Sequence, residues 1–123
     1  MQKTYSTKHC HVRRVDGAAI IRPHGNLMGG EETEELEKLI DDFNAEGLSC
    51  LIVNLIDVGF MNTLGITRFV AGHMKFARRG ARMCLCNLDA KIQNILVITK
   101  LTLVLHVYPD EKSALAGSSA QES

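Results

Sequence analysis

The sequence predicts an α/β fold: a mixed β-sheet that opens with an antiparallel hairpin and carries helices packed on it. Three observations lead there. Asp16-Gly17 links two short extended runs, and both residues tolerate the positive φ that a two-residue hairpin turn needs. Leu51-Ile52-Val53-Asn54-Leu55-Ile56 is almost unbroken apolar sequence, the pattern of a strand buried on both faces of a parallel sheet. Beyond it, strand patterns alternate with helical ones, which requires right-handed crossovers and mainly parallel pairing.

The chain bounds its own class. At 123 residues it is one domain, residues 1–123, large enough for a core without staples. With 46% apolar and 23% charged residues it is globular and not disordered. Its formal net charge of zero argues against nucleic acid as a partner, since phosphates demand a basic surface. The Arg13-Arg14 and Arg78-Arg79-Arg82 clusters read as solvated surface ahead of anion sites. No apolar run approaches the roughly 20 residues that span a bilayer, so no membrane insertion is expected. Met1 to His11 lacks the apolar segment of a signal peptide, so the expected location is cytoplasmic and the four cysteines should stay thiols.

Taken in order, residues 1–8 are polar and expected to be a flexible or edge-paired start. His11–Val15 and Ala18–Pro23 form the hairpin. His24 to Gly30 is a loop by its glycines. Glu31 to Ala45 reads as a helix: acids at Glu31, Glu32, Glu34 and Glu35 suit its positive end, and Leu36, Leu39, Ile40 and Phe43 make an apolar stripe. Gly47 stops it. The central strand spans about Ser49 to Ile56. Asn62 and Thr63 are both suitable N-caps for a second helix, Leu64 to Arg79, stopped by Gly80. Ile66, Phe69, Val70, His73, Phe76 and Ala77 should be its buried face, and Thr67, Arg68, Ala71, Gly72 and Lys75 its outer one. Ala81–Asn87 reads as a strand, Asp89–Leu101 as a third helix and Leu103–Val107 as a last strand ended by Tyr108-Pro109. Asp110 caps a short helix to Ala116, and residues 117–123 form a polar, flexible tail.

The search for chemistry narrows to one hydroxyl. His9 and His11 alternate onto one strand face, as do Cys84 and Cys86, but neither pair has the spacing of a structural zinc site. Cys50, Cys84 and Cys86 read as small core residues, His73 as a hydrogen-bonded structural histidine, and Met61, Met74 and Met83 as filler. No nucleophile elbow, phosphate loop or metalloprotease motif occurs, so no enzyme, cofactor or metal is expected. Thr63 remains. It stands where a strand, a tight turn and a helix N-terminus meet, a place that favours negative charge. Either it merely caps the helix, or it accepts a phosphate.

The run Val53-Asn54-Leu55-Ile56-Asp57-Val58-Gly59-Phe60-Met61-Asn62-Thr63-Leu64-Gly65-Ile66 resembles the STAS domains of anti-sigma-factor antagonists and of the cytoplasmic ends of sulfate transporters. Gly25-Asn26-Leu27 is similar to the family's loop before the first helix, and Leu88 to Leu101 to its third helix. The resemblance implies a STAS-like mixed sheet and a bacterial partner switch. In that scheme the antagonist binds an anti-sigma factor that is also a serine/threonine kinase of the histidine-kinase-like ATPase type. The kinase phosphorylates a hydroxyl at the helix N-terminus, here Thr63, and a phosphatase resets it. The implied partner surface comprises Asn26, Leu27, Met28, Asn62, Thr63, Leu64, Gly65, Thr67 and Arg68. The chain departs from the family at Asn62, Asn54 and Met28, where acids are usual, and at Leu64, where a second hydroxyl is. Two other roles compete: a scaffold independent of phosphorylation, with Met28 and Leu64 as a permanent apolar contact, and a sensor of small anions or nucleotides.

Overall fold

The computed structural model describes residues 3–119. Its six strands lie in sequence order across one sheet: β1 (Lys3–Ser6), β2 (Cys10–Val15), β3 (Ala18–Pro23), β4 (Cys50–Asn54), β5 (Arg82–Cys86) and β6 (His106–Tyr108). The first three pair antiparallel, and β3–β4, β4–β5 and β5–β6 pair parallel. Gly17, at φ 74°, turns the hairpin between β2 and β3. Four helices accompany the sheet among the described residues: α1 (Glu31–Glu46), α2 (Thr63–Arg78), α3 (Ala90–Ile98) and α4 (Glu111–Ser119). The expected mixed α/β architecture is the one observed.

Strand alternation divides the interior in two. Val12, Ala19, Ile21, Leu51, Val53, Met83 and Leu85 point to one face and meet Leu36, Ile40 and Phe43 of α1, Phe69 and Phe76 of α2, and Ile92 and Leu96 of α3. Ala18, Ile20, Cys50, Ile52, Cys84 and Cys86 point the other way, where α4 covers them with Ala114 and Leu115. Burial on both faces explains why β4 reads as a continuous apolar run. All four cysteines are buried and form no disulfide, and Cys50, Cys84 and Cys86 are the small core residues expected. Burial pushes Cys10 and Cys86 up to about 12, and the Cys84 thiol, held in a hydrogen bond with Cys50 and buried, is raised as well.

Several expectations are corrected. Of the polar start, Lys3–Ser6 pairs at the sheet edge, the edge-paired alternative. Residues 117–119 continue α4, and positions 1, 2 and 120–123 lie outside the described residues. The last strand is not Leu103–Val107. Lys100 takes a left-handed conformation, Leu101–Leu103 forms a 3-10 turn, and Leu103 is 82% exposed. On α2, Gly72 is buried and Ala77 exposed, the reverse of the expected faces. The buried stripe is Gly65, Phe69, Gly72 and Phe76. Its glycines let the helix approach closely: a Cβ on Gly72 would stand 2.9 Å from the Met83 sulfur and 3.0 Å from Ile40. Met74 is 48% exposed, so it fills no core gap. His73 packs edge-on to His106 at 5.3 Å, and its buried Nδ1 has no hydrogen-bond partner, contrary to the expected bonded histidine.

Candidate functional site

The site lies at the C-terminal end of the parallel strands, where β4 hands over to α2. Beyond Asn54 the chain turns, with Leu55 N–H donating to the Cys86 carbonyl at 2.9 Å and Val58 N–H to the Leu55 carbonyl at 3.0 Å. Met61 then bridges Leu27 in parallel register, which brings the loop before α1 against the loop before α2. Leu27 N–H donates to the Phe60 carbonyl at 3.1 Å, and Asn62 N–H to the Leu27 carbonyl at 3.2 Å.

Asn62, not Thr63, is the N-cap. Its Oδ1 accepts from Leu64 N–H at 3.0 Å and Gly65 N–H at 3.3 Å. Its Nδ2 donates to the Met28 carbonyl at 3.2 Å, so one side chain caps α2 and ties down the neighbouring loop. A second clasp forms where Leu64 lies over Gly29: at φ 93°, a Cβ on Gly29 would come within 2.4 Å of Leu64 Cδ1. Thr63 is therefore the first residue of α2, exposed, and its hydroxyl makes no hydrogen bond among the described residues. No acid occupies the first turn of α2, so the dipole's positive end is not neutralised locally.

The remaining implied residues divide. Asn26, Met28, Leu64 and Thr67 are exposed, with Met28 at 46% and Leu64 at 50%. Asn62 and Arg68 are half-buried. Thr67 Oγ1 donates back to the Leu64 carbonyl at 2.9 Å. Arg68 Nε stands 3.0 Å from Glu37 of α1 as an ion pair, though without the alignment of a good hydrogen bond. Leu27 and Gly65 are corrections: Leu27 is fully buried, and a Cβ on Gly65 would sit 2.5 Å from the Leu27 carbonyl oxygen. Neither can touch a partner. They set the spacing between the two loops instead.

Behind the site stand Asn54, which the sequence marks only as a departure from the family's usual acid, and Asn87 and Glu111, which sequence reasoning missed. Asn54, 5% exposed, donates through Nδ2 to Glu111 at 2.6 Å and accepts at Oδ1 from Ile56 N–H at 3.0 Å and Asn87 Nδ2 at 3.1 Å. Arg13 Nη2 reaches the other Glu111 oxygen at 2.8 Å. Burial alone would raise the Glu111 carboxyl, but these two donors hold it below the usual range. The signal that points there is Asn54 itself, a polar residue inside an apolar strand. On the rim, Arg22 and His24 share one oxygen of Asp57 at 2.8 and 3.0 Å. The Arg22 hydrogen bond keeps that carboxyl low.

The arrangement offers an exposed hydroxyl beside the exposed apolar side chains of Met28 and Leu64. It also weakens a small-anion site, because the cap already occupies the N–H groups of Leu64 and Gly65. Across the same sheet end lies an open cleft of about 580 Å³, lined by Ile56, Asn87, Leu88, Asp89, Gln93, Val107, Tyr108 and Pro109.

Comparison with known proteins agrees with this architecture. The STAS domain family model matches residues 9–114. No curated protein matches the chain. Among solved structures, a candidate anti-sigma factor antagonist from Thermotoga maritima superposes with a TM-score of 0.81 at 20% identity, over 88% of this chain and 92% of that one. An anti-sigma factor antagonist from Mycobacterium paratuberculosis gives 0.77 at 19% identity, over 97% and 95%. The Bacillus cell fate determinant SpoIIAA, in its phosphorylated form, gives 0.64 at 15% identity, over 94% and 97%. At such identities the superpositions speak for the fold alone.

Proposed function

The chain belongs to the STAS domain family, and from that premise we propose that it is an anti-sigma-factor antagonist switched by phosphorylation at Thr63. The partner is an anti-sigma factor that is also a serine/threonine kinase of the histidine-kinase-like ATPase type. It docks on the rim formed by Asn26, Met28, Asn62, Thr63, Leu64, Thr67 and Arg68. One observation carries the reading: Thr63 is exposed with a disengaged hydroxyl at the start of α2, where Asn62 holds two loops together. The domain acts by binding; the kinase supplies the chemistry. A bond forms between Thr63 Oγ1 and the γ-phosphorus of ATP as the bond to the β-phosphate oxygen breaks. The hydroxyl proton goes to a base on the kinase, and ADP leaves. A phosphatase later restores the hydroxyl.

Magnitudes explain why such a step switches binding without unfolding. The phosphate adds about −1.5 to −2 charges. At an exposed helix N-terminus it gains roughly 0.3–1 kcal/mol. Under a docked partner the same charge is desolvated and unmatched, which costs about 2–5 kcal/mol. Met28 and Asn62, beside Thr63, are neutral and add no charge that would repel a phosphate.

The test is to incubate the protein with ATP and each histidine-kinase-like ATPase of the same genome, and to weigh the product. The expected result is the gain of one phosphoryl group, abolished by Thr63→Ala. Thr63→Asp should weaken partner binding by about thirtyfold or more, with the unfolding midpoint little changed. A mass gain that survives Thr63→Ala, or binding unaffected by Thr63→Asp, rejects the switch.

A further inference from the structure

The corner formed by the last turn of α3 and the 3-10 turn after it carries exposed aliphatic side chains that the core does not use. Val97 is 52% exposed, Ile98 71%, Leu103 82% and Val104 44%, all within eight residues. Three backbone hydrogen bonds make the corner compact: Lys100 N–H to the Val97 carbonyl, Leu103 N–H to Lys100 and Val104 N–H to Leu101, at 3.0, 3.1 and 3.0 Å. Left-handed Lys100, at φ 64°, stands at its apex. Exposures this high describe a protruding wedge, not a groove. The wedge offers no aromatic anchor or guanidinium of the kind that concentrates binding energy in protein interfaces.

Its charge is one-sided. Residues 58–109 contain seven Lys or Arg and a single acid, Asp89, although the whole chain is neutral. Asp89 is occupied as the cap of α3, accepting from Lys91 N–H at 2.8 Å. Arg68 and Lys75 are paired with Glu37 and Asp41 of α1. Lys91 and Lys100 take part in no ion pair among the described residues. Between residues 90 and 109 there is no acid at all. The acidic α1 of a second copy would match the charge, but its outward residues are polar and would leave the aliphatics wet.

We propose that this corner docks on an anionic lipid surface. Ile98 and Leu103 enter the boundary between headgroups and acyl chains, Val97 and Val104 follow, and Lys91 and Lys100 pair with lipid phosphates. The contact is peripheral: none of the described helices is long and apolar enough to cross a membrane. Aliphatic insertion flanked by lysines is the pattern of interfacial binding, and each component is too weak alone.

The test is co-sedimentation of the full chain with vesicles of phosphatidylcholine, alone or mixed with phosphatidylglycerol. Binding is expected to the mixed vesicles only, and to fall as salt is added. Ile98→Asp or Leu103→Asp should each reduce partition about tenfold or more. The double variant Lys91→Glu/Lys100→Glu should reduce it comparably. All four side chains are exposed, so unfolding midpoints should not move. An independent readout is a polarity-sensitive dye on Leu103→Cys, which should shift to the blue with mixed vesicles. No sedimentation with any vesicle, equal binding to phosphatidylcholine alone, or self-association through this corner that Leu103→Asp abolishes would each overturn the proposal.

Discussion

Asn54→Asp supplies the acid that the STAS resemblance implies at this position, and the geometry says the chain should be harmed by it. The side chain is 5% exposed, and its Nδ2 lies 2.6 Å from Glu111 Oε2. Replacing the amide removes a hydrogen bond to a charged group, a loss of about 1.5–3 kcal/mol. It also sets two carboxylates face to face. At about 4 Å and an effective dielectric near 20, like charges repel by roughly 4 kcal/mol. Arg13, on the other Glu111 oxygen, offsets part of this, and the pair can instead share one proton. A net loss of about 2–4 kcal/mol at pH 7.5 follows, or roughly 8–16 °C in unfolding midpoint. A shared proton has its pKa raised, so the loss is greatest above that value and shrinks as pH falls toward 5. Urea unfolding at both pH values measures it. Adding Glu111→Gln should rescue Asn54→Asp, because the introduced amide then donates to the introduced carboxylate and the hydrogen bond is restored with its direction reversed. A loss under about 0.5 kcal/mol, or one that neither acid nor Glu111→Gln relieves, would refute the account of this network.

Two further outcomes follow from packing and from the histidine pair. Gly65→Ala should cost about 1–3 kcal/mol in urea unfolding despite alanine's better helix propensity, since its Cβ would stand 2.5 Å from a backbone oxygen; a stabilised variant would contradict the close approach. His73 is held below the usual histidine range by burial and then by Arg82, and His106 by burial, Arg82 and then His73. Their contribution to stability is complete above about pH 6.5, the ordinary unfolded value, and is lost as pH falls through the depressed folded values. Unfolding free energy should therefore decline between about pH 7 and 5.5. His73→Gln/His106→Gln should flatten that decline, and an unchanged slope would remove the pair from the acid response.

Much of this fold is written in local pattern. The Asp16-Gly17 turn, the apolar β4 run and the acidic start of α1 each encode their element without help from the rest of the chain. What pattern leaves out is distance. Gly72 reads as outward because glycine carries no hydropathy, yet it faces inward because only a missing side chain lets α2 settle on Met83 and Ile40. Leu27 lies in a glycine-rich loop that reads as surface, and it is buried because Met61 bridges it from another loop. The apolar run after Lys100 reads as a strand, but the left-handed residue breaks it into a 3-10 turn and shortens β6 to three residues. At the site, Thr63 and its exposure are legible in the motif. The Asn62 clasp on Met28 and the link from Asn54 to Glu111 need the tertiary structure.

The rear face of the sheet has a consequence for following the protein's motions. Cys50, Cys84 and Cys86 sit in the layer that α4 covers with Ala114 and Leu115, flanked by Val15 and Tyr108, and α4 is joined to the sheet through Pro109 and Asp110. While it is seated, their sulfurs are shielded and protonated, hence unreactive. Each departure of that cover unmasks them together, whereas Cys10 belongs to the opposite core and stays hidden. The rate at which a thiol reagent consumes the native protein would therefore time the detachment of α4, with no label added.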